Sequence, residues 1–413
     1  MKNDNEASLA RVAEKVRALS GTCPFGFWFV TDLHVPSNAC RSGGMLARLV
    51  GETGLRTVVS GGDIPEAFGP EAELDASFAK YRETWVEPME RAGGAFFAVH
   101  GNHDMTIRTA PGAQTGATWP ADKTRAALSG TAAMRSRAVA DPSSCAFYAD
   151  FPEAGVRLVA LDTHDSVDPD RPFWGVESGV SEPQLRWLSR TALGTLPDGW
   201  RVVAASHAPF AGVAAEEDER ALYAGVRDAF APLAAAGRVP LAVSGHHHGE
   251  RQSKTGGVWH VTEPCDAAYL DYIHSSLPWV PDLPVKEPGA WSGQTFDAVQ
   301  FDFARGRVHF TRVGGGADRT LRLSPVRLRA GETVRIAPEI LSGPLVWGCY
   351  DADRADKRPN PERKYDYFYD YHFDVAGIDP DGTLRALRPG EAAVVARAAD
   401  GAREYVPVEV LPR

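Results

Sequence analysis

Hydrophobic positions along the chain fall into two alternating patterns. Residues 6–19 carry Leu9, Val12, Ala13, Val16 and Leu19 at helical spacing, which predicts an amphipathic helix. Short apolar runs follow at 25–30, 57–60, 95–99, 156–161, 202–205 and 239–244. Their length and their Val, Phe and Leu content predict strands buried on both faces. Helical patterns lie between several of them, at 45–52, 73–90, 182–193 and 220–236. Alternating strand and helix predicts an α/β fold with helices on the faces of a sheet.

The polar residues that stop each run carry the chemistry. In order they are Thr31-Asp32-Leu33-His34, Gly61-Gly62-Asp63, His100-Gly101-Asn102-His103-Asp104, Asp162-Thr163-His164, Ser206-His207 and Gly245-His246-His247-His248. Ligands of such sheets bind at the carboxyl ends of strands, so six His and Asp clusters at six strand ends point to one shared site.

Two stretches break the alternation. Residues 105–144 show no strand pattern, contain Gly112, Gly116 and Pro120, and scatter Arg108, Lys123, Arg125, Arg135 and Arg137. This reads as an insertion, placed at 105–145, forming a cap or rim beside the site. After Gly314-Gly315-Gly316 the pattern changes to short alternating strands with turns at Asp379-Pro380-Asp381-Gly382, Pro389-Gly390 and Asp400-Gly401. A catalytic domain over 1–318, with its helix in 1–20, and a small all-β sandwich over 319–413 are the expected units. Length agrees, since 413 residues exceed one ordinary domain.

Composition narrows the partners. Apolar residues make up 44% and charged residues 24%, a normal balance for a globular protein with a sizeable core. A net charge of −10 argues against non-specific nucleic-acid binding, which needs Lys and Arg, but leaves a small phosphorylated substrate open if cations supply positive charge locally. Five scattered cysteines, none spaced C-x-x-C, argue against a disulfide framework or thiolate zinc site. Residues 1–20 lack an apolar leader core and no run of eighteen apolar residues exists. The expected compartment is cytoplasmic, or periplasmic or secreted if a leader has been removed.

Together the clusters offer two carboxylates (Asp32, Asp63), one amide (Asn102) and four imidazoles (His34, His207, His246, His248). Oxygen and imidazole donors without thiolate suit Mn, Fe or Zn. In an extended D-x-H or H-x-H segment, residues two apart project to one side, so Asp32 with His34 and His246 with His248 reach one pocket while Leu33 and His247 point away. Seven ligands suit two ions about 3.5–4 Å apart sharing a carboxylate.

These motifs resemble the calcineurin-like metallophosphoesterases, whose ordered signature is D-x-H, G-D, G-N-H-[DE], a lone His and G-H-x-H. The resemblance covers about residues 25–315, including Ser181-Glu182-Pro183-Gln184-Leu185-Arg186-Trp187-Leu188. It implies a four-layer sandwich of mixed β-sheets flanked by helices, and hydrolysis of a phosphate mono- or diester by a metal-activated hydroxide. It also implies that Asp32, His34, Asp63 and His248 hold one divalent or transition metal ion, with Asp63 bridging to a second held by Asn102, His207 and His246. His103 is then the imidazole beside substrate, with Asp104 orienting it, and Arg41 and His164 are candidate substrate-binding residues. Ile64-Pro65-Glu66 after Asp63 lacks the tyrosine that purple acid phosphatases place three positions later, which disfavours a tyrosinate-bound Fe(III).

Residues outside these motifs have plainer readings. Asp162-Thr163-His164 repeats D-x-H but falls after G-N-H-D, so His164 reads as a loop histidine or a residue at the pocket mouth. Residues 377–390 resemble a bacterial Ig-like module of the second type, which confers no chemistry but can pack on the catalytic domain or bind a partner. Aromatic residues recur at every second position over 365–373, giving an aromatic strand face that packs inward or offers a stacking platform. All seven ligands precede Gly249, so the module is expected to be dispensable for chemistry on small substrates. The alternative function is a metal-bound pseudoenzyme or scaffold acting through the Ig-like module, against which the intact His103-Asp104 pair argues.

Overall fold

A computed structural model describes the chain except residues 1, 38, 67–69, 109–115, 120, 166–178, 268–272, 275–276, 278, 280–285 and 363–366. Two large sheets face each other. One has ten strands, running Val346–Asp351, Gly390–Arg397, Arg403–Leu411, Arg319–Arg322, Arg307–Gly314, Thr295–Asp302, Phe25–Val30, Thr57–Ser60 and Ala95–Ala98, with Val326–Arg329 also on Arg403–Leu411. The other has seven, running Arg251–Thr255, Val258–Thr262, Leu241–Ser244, Arg201–Ala205, Val156–Ala160, Phe147–Phe151 and Ala138–Ala140. Both are mixed: Phe25–Val30 pairs parallel with Thr57–Ser60 and antiparallel with Thr295–Asp302.

Apolar side chains fill the space between the sheets, with Phe27, Phe29 and Phe97 of one against Phe147, Leu158 and Val243 of the other. Helices cover the outer faces. Leu9, Val12 and Val16 of helix Lys2–Ser20 join Leu46 and Leu49 of helix Ala39–Thr53 over Trp28 and Val58. Trp187, Tyr223 and Phe230 cover Val202 and Ala204 on the second sheet. The result is the helix–sheet–sheet–helix sandwich that both-face burial of the central strands requires. Among the described residues no helix is long and apolar enough to cross a membrane.

Segments 73–90 and 182–193, read as plain helices, each contain a π-helical turn, at Arg82–Val86 and Leu188–Leu193. The 105–145 insertion is more ordered than its pattern suggests. It holds helices Ala121–Leu128 and Ala132–Arg137, and strand Ala138–Ala140 joins the edge of the seven-stranded sheet. Thr131 caps the second helix, its hydroxyl accepting from the Met134 amide at 3.1 Å.

From residue 319 onward the chain is rich in strands. A small core of Leu328, Ile336, Leu384, Val394 and Val408 lies beneath short antiparallel sheets such as Thr333–Arg335 with Thr383–Ala386. This region shares hydrogen bonds with what precedes it. Strand Arg319–Arg322 pairs antiparallel with Arg307–Gly314 and parallel with Arg403–Leu411, so the position expected as a domain boundary lies inside one continuous sheet. Its Val395 and Tyr405 belong to the core between the two large sheets.

Candidate metal centre

The motif residues follow the ends of Phe25–Val30, Thr57–Ser60, Ala95–Ala98, Arg201–Ala205 and Leu241–Ser244. Five non-glycine residues with positive φ are described, and all five are proposed ligands: Asp32 (53°), His34 (44°), Asp63 (51°), His246 (70°) and His248 (52°). The pairs therefore reach one pocket through left-handed kinks and not through the side-to-side alternation of an extended strand. Asp and His tolerate this region better than most side chains, but each strained residue costs on the order of 1–3 kcal/mol and persists only where its surroundings fix it. The Asp32 amide donates to Gly62 O at 3.0 Å and the His34 amide to Asp63 O at 3.1 Å, which ties the first two loops together.

Close approach of the loops depends on glycine. A Cβ on Gly101 would lie 2.3 Å from the Asp63 amide, and one on Gly245 would lie 2.4 Å from Asp32 Oδ2. Those contacts are too short for any side chain.

The ligand atoms gather in two groups that share Asp63. Asp32, His34, Asp63 and His248 form one, and Asp63, His207 and His246 the other, each with donor atoms within 4.8 Å of one another. Asn102 Oδ1 lies 3.1 Å from both His207 Nε2 and His246 Nδ1, placing the amide in the second group.

The donor chemistry fits cations. His207 Nδ1 donates to Gly61 O at 2.8 Å, which turns the lone pair on Nε2 toward Asp63 Oδ2 at 3.1 Å, Asn102 Oδ1 and His246 Nδ1 at 3.3 Å. In the other group His248 Nε2 faces Asp32 Oδ1 at 3.0 Å and His34 Nε2 at 3.4 Å. Converging acceptors of this kind are stabilised by positive charge held between them. The titration of the site reflects this. Burial opposes a charged His207, yet Asp63 raises its pKa to about 10. Burial likewise opposes ionisation of Asp32, but His248 and His207 hold its carboxyl below the usual range. Burial, with His103 and His248 nearby, keeps His34 neutral, as a metal ligand must be.

His103 lies at the edge of the cluster. Its Nδ1 donates to Glu66 O at 2.8 Å, and its Nε2 is 3.8 Å from Asp63 Oδ2. Its ring meets that of His34 at 4.8 Å, edge to face. Asp104 does not orient this imidazole. Its carboxylate accepts the Gly101 and Ile64 amides, each at 2.7 Å, because adjacent residues of a tight turn point to different sides. Burial and the neighbouring Asp63 raise the Asp104 pKa to about 6.

His164 is buried and not a loop histidine. Its ring lies 5.5 Å from His207 and 5.9 Å from His246, against the second ligand group. Arg41 is exposed on helix Ala39–Thr53, its guanidinium beside Gly289 and not in the cluster. Three contributors were missed in the sequence reading. Glu66 brings Oε2 to 3.6 Å from His34 Nδ1. Cys265 lies within 4.8 Å of His34 and His248, its thiol donating to Asp32 O at 3.0 Å. His100 pairs with Asp162 at 2.7 Å beneath the third loop. Only His100, adjacent to G-N-H-D, carried a sequence signal.

Comparison with known proteins places this geometry. A family profile described as calcineurin-like phosphoesterase matches residues 25–250. No curated protein matches the chain significantly in sequence. Among solved structures, a dimetal phosphatase from Danio rerio is similar at 15% identity and a TM-score of 0.50, covering 73% of this chain and 100% of its own, a likeness of fold. Two others match more loosely. GAP50, the anchor in the inner membrane complex of Plasmodium, matches at 10% identity and a TM-score of 0.42 over 70% of this chain and 84% of its own. A phosphopantetheinyl hydrolase from Mycobacterium tuberculosis matches at 13% and 0.30, over 59% and 91%.

Proposed function

Because the chain belongs to the calcineurin-like phosphoesterase family, we propose that it hydrolyses a phosphate mono- or diester at a dinuclear centre of Mn, Fe or Zn. One observation carries the reading: two groups of oxygen and imidazole donors, in strained backbone, share the carboxylate of Asp63. Asp32, His34, Asp63 and His248 would hold one ion, and Asp63, Asn102, His207 and His246 the other. Two such ions supply charge that neutralises phosphoryl oxygens and acidify a water for in-line attack.

The chain's own residues do the rest. Gly61 O fixes the His207 tautomer so that Nε2 faces inward. Asp104 holds the Gly101 and Ile64 amides, which keeps Asn102 and Asp63 in register as a positioning residue. The Glu66 carbonyl holds the Nδ1 proton of His103, so the second imidazole proton sits on Nε2, on the side of Asp63, where it can pass to a departing oxygen. His164 walls the second ligand group, its buried ring 5.5 Å from that of His207. In this reading residues 1–318 are the catalytic domain and 319–413 a strand-rich module.

The test is metal analysis of purified, Mn-loaded protein alongside panels of phosphate monoesters, diesters and pyrophosphates. About two ions per chain and turnover of one ester class are expected. A single ion, or no turnover of any ester by fully loaded protein, overturns the reading.

A further inference from the structure

The segment from His246 to Gln252 is held in part by residues from 319 onward, alongside Arg312 Nη2 on Glu250 Oε2 at 2.8 Å, Arg251 Nη1 on Val213 O at 3.0 Å, and the pairing of Arg251 and Gln252 with Thr262 and Val261. Arg403 Nη1 lies 2.8 Å from Glu250 Oε1, both side chains buried, and Arg319 Nη1 is 3.5 Å from the other oxygen. The guanidinium of Arg251 sits 3.9 Å over the ring of Tyr369. The Tyr350 hydroxyl donates to Gln252 O. On the other flank Glu216 joins the segment to the module: its Oε1 lies 3.6 Å from His247 Nδ1, pairs with Lys357, and accepts from the Tyr369 hydroxyl at 3.4 Å. The ring of His247 is 4.9 Å from that of His246.

We propose that residues 319–413 position the metal centre, gripping this segment from two sides so that His246 and His248 keep their left-handed backbone. The proposal rests on the dinuclear reading above, and it reverses the expectation that the module is dispensable. Two strained ligands, one from each ion group, lie on the gripped segment. A left-handed histidine relaxes unless neighbouring contacts fix it. Here contacts at positions 247, 250, 251 and 252 come directly or through Glu216 from Tyr350, Lys357, Tyr369 and Arg403. Tyr369 and Tyr371 pack inward, while Phe373 at the end of the same stretch is exposed and Tyr365 lies outside the described residues.

The experiment titrates Co²⁺ into full-length wild type, Arg403→Met, Arg403→Lys and Lys357→Met, reading affinity by calorimetry and ligand geometry by the visible d–d spectrum. Loss of a group that orients metal ligands typically weakens binding about 10–100-fold, so Arg403→Met should fall in that range with an altered spectrum. Arg403→Lys should recover part of the affinity and spectrum, which a purely stabilising contact would not require. Lys357→Met, at a side chain 32% exposed, should fold normally and weaken binding by a smaller factor. Folded variants with wild-type affinity and spectrum overturn the proposal. If Arg403→Met fails to fold, Lys357→Met and Tyr369→Phe decide it by the same readouts. If wild type takes up no Co²⁺, the functional reading fails, and amide exchange of residues 246–252 then tests the grip: unchanged exchange in Lys357→Met overturns it.

Discussion

Two buried clusters of titratable side chains lie near each other in this molecule, and they differ in how their charge is balanced. In the candidate metal cluster, imidazole nitrogens and carboxylate oxygens face one another at 3.0–3.4 Å. In the other, Arg312, Arg319 and Arg403 are interleaved with Glu250, Glu263 and Asp297. Arg312 contacts Asp297 at 2.8 and 3.0 Å and Glu250 at 2.8 Å, and Arg319 reaches Asp297 at 3.0 Å while pairing with Glu263. Burial would raise Glu250, yet Arg319, Arg403 and Arg312 hold it down to about 2. In the second cluster carboxylates and guanidiniums are paired with one another, and the first brings imidazole and carboxylate donors together as a cation site would. Crowded buried charge is therefore a weak mark of function, and imidazole and carboxylate donors converging on a point are a stronger one.

The largest effect should come from the atom shared by both ion groups. Asp63→Asn is expected to reduce metal content from about two ions to less than one and activity to background, measured by elemental analysis and ester turnover. Retention of both ions would break the comparison at its centre.

Next in size is His103→Ala. Metal content should remain intact while kcat for an alkyl phosphate falls roughly 10²–10⁴-fold and that for a nitrophenyl ester changes little. Equal losses on both substrates would mean that His103 binds phosphate and does not donate a proton.

The self-balanced cluster makes the opposite demand. Arg319→Met leaves Asp297 and Glu263 short of a partner in a buried site, which should cost about 3–5 kcal/mol in urea unfolding, whether or not metal is present. A cost that vanished on metal removal would mean that the two clusters are not separable.

The smallest effect concerns an incompletely balanced charge. Burial pushes Lys254 down to about 8 from an ordinary 10.5, with Glu391 offsetting only part of the penalty. Between those values the unfolded chain holds more protons, so stability should rise with pH across that window by on the order of 1–3 kcal/mol. Lys254→Met should remove this rise when urea midpoints of the two proteins are compared from pH 7.5 to 10.5. An identical pH dependence would show that Glu391 neutralises Lys254 fully.

The convergence of the candidate ligands on one place could be read from the sequence because each follows a strand end, most of them within short motifs of adjacent letters. Their backbone could not. Asp32, His34 and His248 look the same in an extended segment as in a left-handed one, and the close approach that Gly101 and Gly245 allow to Asp63 and Asp32 depends on contacts between loops distant in sequence. Asp104 was misassigned for a related reason, since adjacency in sequence does not say which way a side chain turns. The arginine cluster was invisible because Glu250, Glu263, Asp297 and Arg403 lie far apart and each resembles an ordinary strand-surface charge. For the same reason the strand pairing that joins the chain after Gly316 to Arg307–Gly314 was not legible in the sequence.

Strand Arg403–Leu411 lies between Arg319–Arg322 and Gly390–Arg397, in the interior of the ten-stranded sheet. During synthesis the ligand-bearing residues leave the ribosome long before this strand does. The sheet cannot close around Arg319 until position 411 has emerged, and the parallel pairing of 319–321 with 403–405 is the kind of long-range contact that forms slowly. Until then Glu250 lacks the counter-charge of Arg403 and the apolar face beside Trp259 and Leu321 lacks Tyr405. A nascent chain halted before that point carries every candidate ligand and yet exposes an unpaired sheet edge, the kind of surface that invites aggregation.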